Sequence, residues 1–192
     1  MTQLLRSSAC LMVCLGLFSC GGSADNENEP TPVFPNVGDE QTPPTKGDAT
    51  AMRKWLDAGH YNKWQCESEA HPPRGPSSHH MNRSCSNNLI SSFSRTKEDE
   101  RPAGSAAVKE FWDQGKVYGH AVYVKTAAKS DGGDSWYWYV EIDGMGVLAN
   151  GLGSQDATAK KACAACHAAA GSDTAHTTSK RSGDFVYTQV ET

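Results

Sequence analysis

The stretch Cys163-Ala164-Ala165-Cys166-His167, close to the C-terminus, decides how the rest of the chain is interpreted. Its C-x-x-C-H spacing is typical of covalent attachment of a c-type haem. Each of the two thiols can bond one vinyl group of the ring, while the adjacent imidazole binds the iron. The motif therefore predicts one covalent haem c, held by Cys163 and Cys166, with His167 as the axial ligand of the iron.

A bare C-x-x-C pair has two other interpretations, a redox disulfide and half of a zinc site. Zinc would need a second ligand pair at a fitting spacing, and the sequence has none. A thioredoxin-like pair would lie early in a βαβ unit, whereas this pair lies late in the chain. Residues 160–170 are rich in alanine and contain no Pro or Gly before Gly171, so we predict that the motif lies on a helix that stops at Gly171.

An apolar run near the N-terminus indicates export. Residues 9–18 (ACLMVCLGLF) follow a single cation, Arg6, and are too short for a permanent membrane span. The run ends in LFSCG (17–21), which resembles a bacterial lipobox, so Cys20 is predicted to carry lipid; an ordinary secretory signal is the alternative. The expected location is the bacterial cell envelope, with the lipid anchored in a membrane and the folded domain in the periplasm.

The roles of the remaining cysteines follow by elimination. Cys10 and Cys14 leave with the signal peptide, Cys20 takes lipid, and the haem motif takes two more of the seven. Thiols outside the cytoplasm tend to oxidise, so a disulfide between Cys66 and Cys85 is the simplest assignment. Such a disulfide lowers the conformational entropy of the unfolded chain, which stabilises the fold by roughly 3 kcal/mol.

Composition divides the chain into three parts. Residues 1–19 form the signal peptide. Residues 20–48 are proline-rich, acidic and poor in apolar side chains, which predicts a disordered tether. Residues 49–192 are expected to form one haem domain. The formal net charge is −4 without an evident basic patch, so nothing indicates binding to nucleic acid.

Within the domain the pattern predicts an α+β fold, mainly an antiparallel β-sheet with a few helices. Asp48 can cap a helix with one apolar face, and three strands are expected over 106–112, 118–125 and 135–143, with a final strand over 184–190. In the third strand one face carries Trp136, Trp138, Val140 and Ile142, and the other carries Tyr137, Tyr139, Glu141 and Asp143.

Two adjacent histidines, His79 and His80, lie in a loop rich in Pro and Gly. Metal binding is one interpretation of this pair, and a hydrogen-bonded role in the loop is the other. We favour the loop role, because neighbouring side chains rarely point at one ion.

Four blocks in this order resemble the cytochrome P-460 family, which includes the cytochromes c′-beta. They are H-x-x-N-R-x-C-x-N around 80–87, G-S-x-x-V-K-E at 104–110, G-x-x-W-Y-W-Y ending at Tyr139, and C-x-x-C-H followed by D-F-V-Y-T-Q. The resemblance covers roughly 64–190. It implies haem held against an antiparallel sheet and a five-coordinate iron with an open distal face, and it implies a homodimer, since relatives are often dimers.

The resemblance also assigns a role to Lys109. True P-460 proteins carry a lysine bonded covalently to the haem edge, and that lysine matches Lys109. On its own strand Lys109 shares a face with Ala107 and Phe111, so it points to an apolar face or lies at an exposed edge. Glu110 and His120, together with Tyr123, are the candidates for a distal group that moves protons.

Three functions remain open. The first is a haem oxidoreductase that oxidises a small nitrogen compound such as hydroxylamine. The second is a protein that binds NO or CO without turnover. The third is an electron carrier, which needs a sixth ligand such as Met81 and normally has its motif near the start of the chain. We favour the first, with Lys109 separating enzyme from binder; the redox partner is not indicated.

Overall fold

The computed structural model describes residues 42–74, 77–93, 100–172 and 182–190. All of them lie within one unit, Pro32–Thr192, while a second unit, Met1–Thr31, lies outside the described residues. The predicted signal peptide, the lipid-bearing Cys20 and most of the tether also lie outside them. Within the described ranges, no helix is both long enough and apolar enough to cross a membrane.

A six-stranded antiparallel sheet forms the centre of the domain, and its strands are neighbours in chain order. This confirms the predicted α+β class with a mainly antiparallel sheet. The strands are β1 (Gln65–Cys66), β2 (Asn82–Ser86), β3 (Ala106–Asp113), β4 (Lys116–Lys125), β5 (Trp136–Ile142) and β6 (Gly146–Leu152).

The helices are few and short. The predicted first helix is α1 (Ala49–Asp57), and the Asp48 side chain accepts a hydrogen bond of 3.0 Å from the backbone N–H of Ala51, as an N-cap should. The others are α2 (Asn88–Ser91), α3 (Ala165–His167), a π-helix (Ala159–Ala164) that leads into α3, and 3₁₀ turns at His60–Lys63 and Asp131–Gly133. The C-x-x-C-H motif therefore lies on helical backbone that ends at His167, before the predicted stop.

Each face of the sheet packs a separate apolar core, because alternate residues of a strand point to opposite sides. One core, which we call the α1 core, joins Met52, Trp55 and Leu56 of α1 to Val108 and Tyr139 of the sheet. The second, the motif core, lies on the other face, and Cys163 packs against it. Its buried members are Ile90, Ala107, Tyr123, Trp136, Trp138, Ala159, Ala164, Phe185 and Val186. The alternation predicted for the third strand is thus confirmed for its aromatic residues.

The predicted final strand over 184–190 is wrong. The structure has there only an isolated bridge between Gly183 and Val186. Asp184 and Phe185 have positive φ angles of 48° and 65°, and such left-handed backbone cannot continue an extended strand.

The disulfide between Cys66 and Cys85 is confirmed. The two residues are directly opposite each other in the pairing of β1 with β2, with Cα atoms 4.0 Å apart. Cys85 is completely buried in the α1 core. The bond therefore ties the edge of the sheet to that core.

Candidate functional site

A cavity of about 530 Å³ lies on the motif-core face of the sheet. Cys163, Cys166 and His167 line one side of it, and Lys109 and Trp138 line the sheet side. Its volume falls within the range of about 300–1,000 Å³ that is common for ligand and cofactor pockets. The structure thus brings Lys109 and the C-x-x-C-H side chains to one site.

The two motif cysteines are free thiols. Cys163 is half-buried, and burial raises the pKa of its thiol to about 11, so the sulfur stays protonated at neutral pH. Cys166 follows three residues later on the same helical run and is exposed to solvent at the cavity. Both sulfurs are therefore available to a group that enters this space.

A hydrogen bond orients the ring of His167. Its Nδ1 lies 2.7 Å from the backbone carbonyl oxygen of Phe185. Because a carbonyl oxygen only accepts, Nδ1 carries the proton and the lone pair of the ring lies on Nε2. Metal-binding histidines commonly use this arrangement, in which the second ring nitrogen donates to a backbone carbonyl. The tautomer of His167 is thus the one that ligates through Nε2.

Aromatic rings surround His167. The centroid of Trp138 lies 4.9 Å from that of His167, and the centroids of Tyr187 and Tyr123 lie at 5.3 Å and 5.5 Å, all three in edge-on orientations. Such contacts limit rotation of the imidazole and exclude water from its sides. Burial also raises the pKa of Tyr123 above its ordinary value, so its hydroxyl remains protonated.

Lys109 lies on the cavity face because of its strand register. It pairs with Ala121 of β4, and the neighbouring pair on the same face is Ala107 with Tyr123. Its side chain is half-buried, and burial lowers the pKa of its amine from 10.5 to about 8. On the order of a tenth of these amines is neutral at pH 7, which makes Lys109 a better nucleophile than a surface lysine.

His79 lines the cavity, although the sequence analysis favoured a hydrogen-bonded loop role for His79 and His80 over metal binding. Its ring stacks on that of Phe111, with centroids 5.6 Å apart and planes 13° from parallel. Burial, reinforced by the nearby charge of Lys109, lowers the pKa of His79 to about 3, so the ring is neutral. The H-x-x-N-R block contained this residue, but only the fold shows that both histidines line the cavity, with His79 half-buried and His80 exposed.

The mouth of the cavity carries a second cation. Arg74 lines the cavity and forms an ion pair of 2.7 Å with Glu67, which also accepts a hydrogen bond of 2.7 Å from the N–H of Ser84. Burial alone would raise the pKa of Glu67, but these two contacts lower it, so its carboxylate stays charged. Arg74 and Lys109 together make the site suitable for a ligand with acidic groups.

Glu110 and His120 do not reach this cavity. They are paired in register on the opposite face of the sheet, next to Tyr61. Glu110 is 3% exposed and accepts hydrogen bonds from Arg83 (2.8 Å), Tyr61 (2.8 Å) and Trp112 (2.9 Å). His120 lies 3.3 Å from the Tyr61 hydroxyl, and burial lowers its pKa. Neither side chain is placed to act as a distal group; of the three candidates only Tyr123 lines the cavity.

These residues fit a c-type haem. The cavity offers two thiols, an imidazole whose lone pair lies on Nε2, aromatic walls and cations for acidic side groups. Trp138 also has a buried indole N–H without a hydrogen-bond partner in the described residues, which a bound group could satisfy. Within the same ranges, no three His, Cys, Asp or Glu side chains are arranged to hold a bare metal ion.

Comparisons with known proteins return no relative. No protein-family model, no curated protein and no solved structure matches the chain. The resemblance to the cytochrome P-460 family therefore depends on the sequence blocks quoted above.

Proposed function

We propose that this protein is a c-type haem protein of the cytochrome P-460 kind, which oxidises a small nitrogen compound such as hydroxylamine at the haem iron. One observation carries the proposal: Lys109 lines the same cavity as Cys163, Cys166 and His167. A lysine on the opposite face of the sheet could not reach the edge of a haem attached at the motif.

The two cysteines hold the cofactor. Each sulfur would hold the ring through a thioether bond to one vinyl group, an addition in which the thiol proton goes to the neighbouring carbon and no oxidant is needed. Cys163 packs against the motif core and Cys166 lines the cavity, so these two residues would hold the ring at the cavity. His167, oriented by the Phe185 carbonyl, would bind the iron.

Lys109 would supply a third covalent bond. Its amine nitrogen would hold the edge of the ring through an N–C bond in place of one C–H bond, and the two protons and two electrons released would go to an external oxidant of the peroxide class. The lowered pKa of Lys109, caused by burial, supplies the neutral amine that this step requires.

When bound, a haem supplies an iron that takes up the nitrogen compound and passes electrons to an external one-electron acceptor. The aromatic rings around His167 keep water from the proximal side. The redox partner, the homodimer, the lipid anchor at Cys20 and the location in the periplasm belong to the same proposal and have their support in the sequence alone.

A protein that binds NO or CO without turnover is the second candidate. The placement of Glu110 and His120 favours it, since these two proton-transfer candidates lie on the opposite face of the sheet. The rest of the wall is largely apolar and aromatic, with Phe111, Val140 and Leu148 among its residues. Such a wall suits a small uncharged ligand. An electron carrier has the least support.

The bond at Lys109 separates the two candidates. We would measure the intact mass of the denatured protein and the ferrous absorption spectrum, for wild type, Lys109→Ala and the exposed-lysine control Lys116→Ala. The expected mass exceeds that of the disulfide-bonded, lipid-bearing polypeptide by one haem, less the two hydrogens lost at the crosslink. The Soret band of wild type and control should lie well to the red of an ordinary c-type haem, and Lys109→Ala should have an ordinary spectrum and no hydroxylamine oxidation.

Two results would contradict the proposal. Haem extracted into acidified acetone would exclude covalent attachment at Cys163 and Cys166. Identical spectra for wild type and Lys109→Ala would exclude the crosslink, and the binding protein would then be the better assignment.

A further inference from the structure

We infer that His79 binds the haem iron opposite His167 in the resting protein, and that a small ligand must displace the His79 imidazole before it can bind. The inference depends on the proposed attachment of haem at the motif, and it replaces the expectation of a five-coordinate resting iron. It applies to either candidate function.

The separation of the two rings is the first reason. The centroids of His79 and His167 lie 6.3 Å apart, and their planes are inclined at 74°. Two imidazoles that share one metal keep metal–nitrogen bonds of about 2 Å each, which places their centroids about 6 Å apart. The inclination is compatible with this geometry, because each ring can turn about its own bond to the metal. The rings are therefore already spaced for one shared ion.

The second reason is that the backbone of His79 is held in place. The side-chain amide of Asn82 donates hydrogen bonds to the carbonyl oxygens of His79 (2.9 Å) and His80 (2.8 Å), and Asn82 is 2% exposed. Phe111, on the cavity face of β3, stacks on the His79 ring. A ring fixed by backbone contacts and by stacking loses little freedom when it binds a metal.

The third reason is that the ring of His79 makes no hydrogen bond within the described residues; its recorded hydrogen bonds involve only the backbone. The ring is half-buried, and no hydrogen bond to a described residue has to break when one of its nitrogens binds a metal. Other sixth ligands are placed less well: Met81 is 41% exposed and His80 is also exposed. Other candidate ligands line the same cavity: His71 is held 3.1 Å from the Glu67 carboxylate, and variants of His80 and Lys109 serve as tests below.

Displacement of His79 is a ligand exchange. The iron–nitrogen bond to His79 breaks, a bond to the incoming ligand forms, and no electron is transferred. The observed rate of ligand binding should therefore level off at high ligand concentration, where dissociation of His79 becomes limiting. Removal of the side chain should abolish this limit.

The test uses the spin state of the ferric protein with its covalent haem, followed by absorption and electron paramagnetic resonance at neutral pH. Wild type should be low-spin and six-coordinate. His79→Ala should be high-spin, and added imidazole should restore its low-spin signals. The matched control, His80→Ala, should stay low-spin. His79→Met replaces the imidazole with a thioether of similar length, so this variant should stay low-spin with a changed spectrum. It provides the test if the alanine variant folds poorly.

Three results would overturn the inference. The first is a high-spin wild type that His79→Ala leaves unchanged. The second is a His79→Ala protein that is low-spin without added imidazole. If Lys109→Met then loses the low-spin state, the sixth ligand of the iron is Lys109. The third is a CO-binding rate of ferrous wild type that stays linear and equals that of His79→Ala. The intact mass separates these outcomes from failure of the proposed function, since a protein without covalent haem excludes both.

Discussion

The backbone carbonyl oxygen of Phe185 accepts a hydrogen bond of 2.7 Å from Nδ1 of His167. This contact joins the motif helix to a C-terminal segment with unusual backbone, because Phe185 has a φ of 65° and Asp184 a φ of 48°. A bulky residue rarely adopts this region, so the surrounding structure must hold it there. The Asp184 carboxylate does so: it accepts hydrogen bonds from the Arg101 N–H (2.6 Å) and from the Lys125 amine (3.0 Å).

Asp184→Ala should destabilise the protein by about 2–4 kcal/mol, because it leaves the completely buried Lys125 amine without its closest carboxylate. It should also loosen the carbonyl that orients His167, so a smaller fraction of the protein should carry haem. Urea denaturation and the ratio of haem absorbance to protein measure the two effects. Glu100→Ala is the control, since Glu100 contacts Lys125 at 3.3 Å but is itself partly exposed; equal losses in both variants would refute the special role of Asp184.

Lys109→Met should stabilise the haem-free protein at neutral pH. Burial lowers the pKa of the Lys109 amine from 10.5 to about 8, so between these two values the folded chain binds fewer protons than the unfolded chain, and wild-type stability rises with pH in that window. Below about pH 8 the cost of the buried charge is complete. The methionine variant lacks this cost and should be more stable by about 1–3 kcal/mol at pH 7, and the difference should shrink towards pH 10.5.

Urea denaturation of the haem-free protein at pH 7 and pH 10 measures this difference. The matched control is Lys116→Met, an exposed lysine at the start of β4, which should change stability by less than about 0.5 kcal/mol at both pH values. A Lys109→Met variant that is less stable than wild type at pH 7 would show that the amine is not buried as a charge.

Glu110→Gln should lower stability without changing the haem. Glu110 accepts hydrogen bonds from Arg83, Tyr61 and Trp112 on the face of the sheet opposite the cavity. Loss of its charge weakens this network by about 1–3 kcal/mol, while the haem mass and the ferrous and ferric spectra should match those of wild type. A changed Soret band or a lost activity per haem would return Glu110 to the list of distal groups.

Loss of the disulfide should also act on stability alone. The double variant Cys66→Ala, Cys85→Ala removes a bond that ties β1 to β2, and the expected loss is about 2–4 kcal/mol. Thermal denaturation measures it, and the haem content of the purified protein is the control. A loss of covalent haem in a folded variant would show that these cysteines act in cofactor assembly.

Local sequence patterns were sufficient to predict several elements of the fold. The alternation of residues in 106–112, 118–125 and 135–143 predicted three of the strands and placed Lys109 with Ala107 and Phe111, because strand periodicity assigns faces without any tertiary information. Asp48 was recognisable as a helix cap. The pairing of Cys66 with Cys85 followed by elimination, because the signal peptide, the lipid site and the haem motif take the other cysteines.

The relation between distant segments required the tertiary structure. Periodicity separates the two faces of a strand but does not say which face meets the motif helix, so Glu110 and His120 looked as suitable as Lys109 until the register placed them on the α1 core side. His79 reaches the cavity through a loop held by Asn82, a contact that no periodic pattern encodes. The last segment alternates like a strand, yet positive φ angles at Asp184 and Phe185 turn it so that its carbonyl meets His167. Long-range contacts decide such positions, because they supply the free energy that holds backbone conformations against local preference.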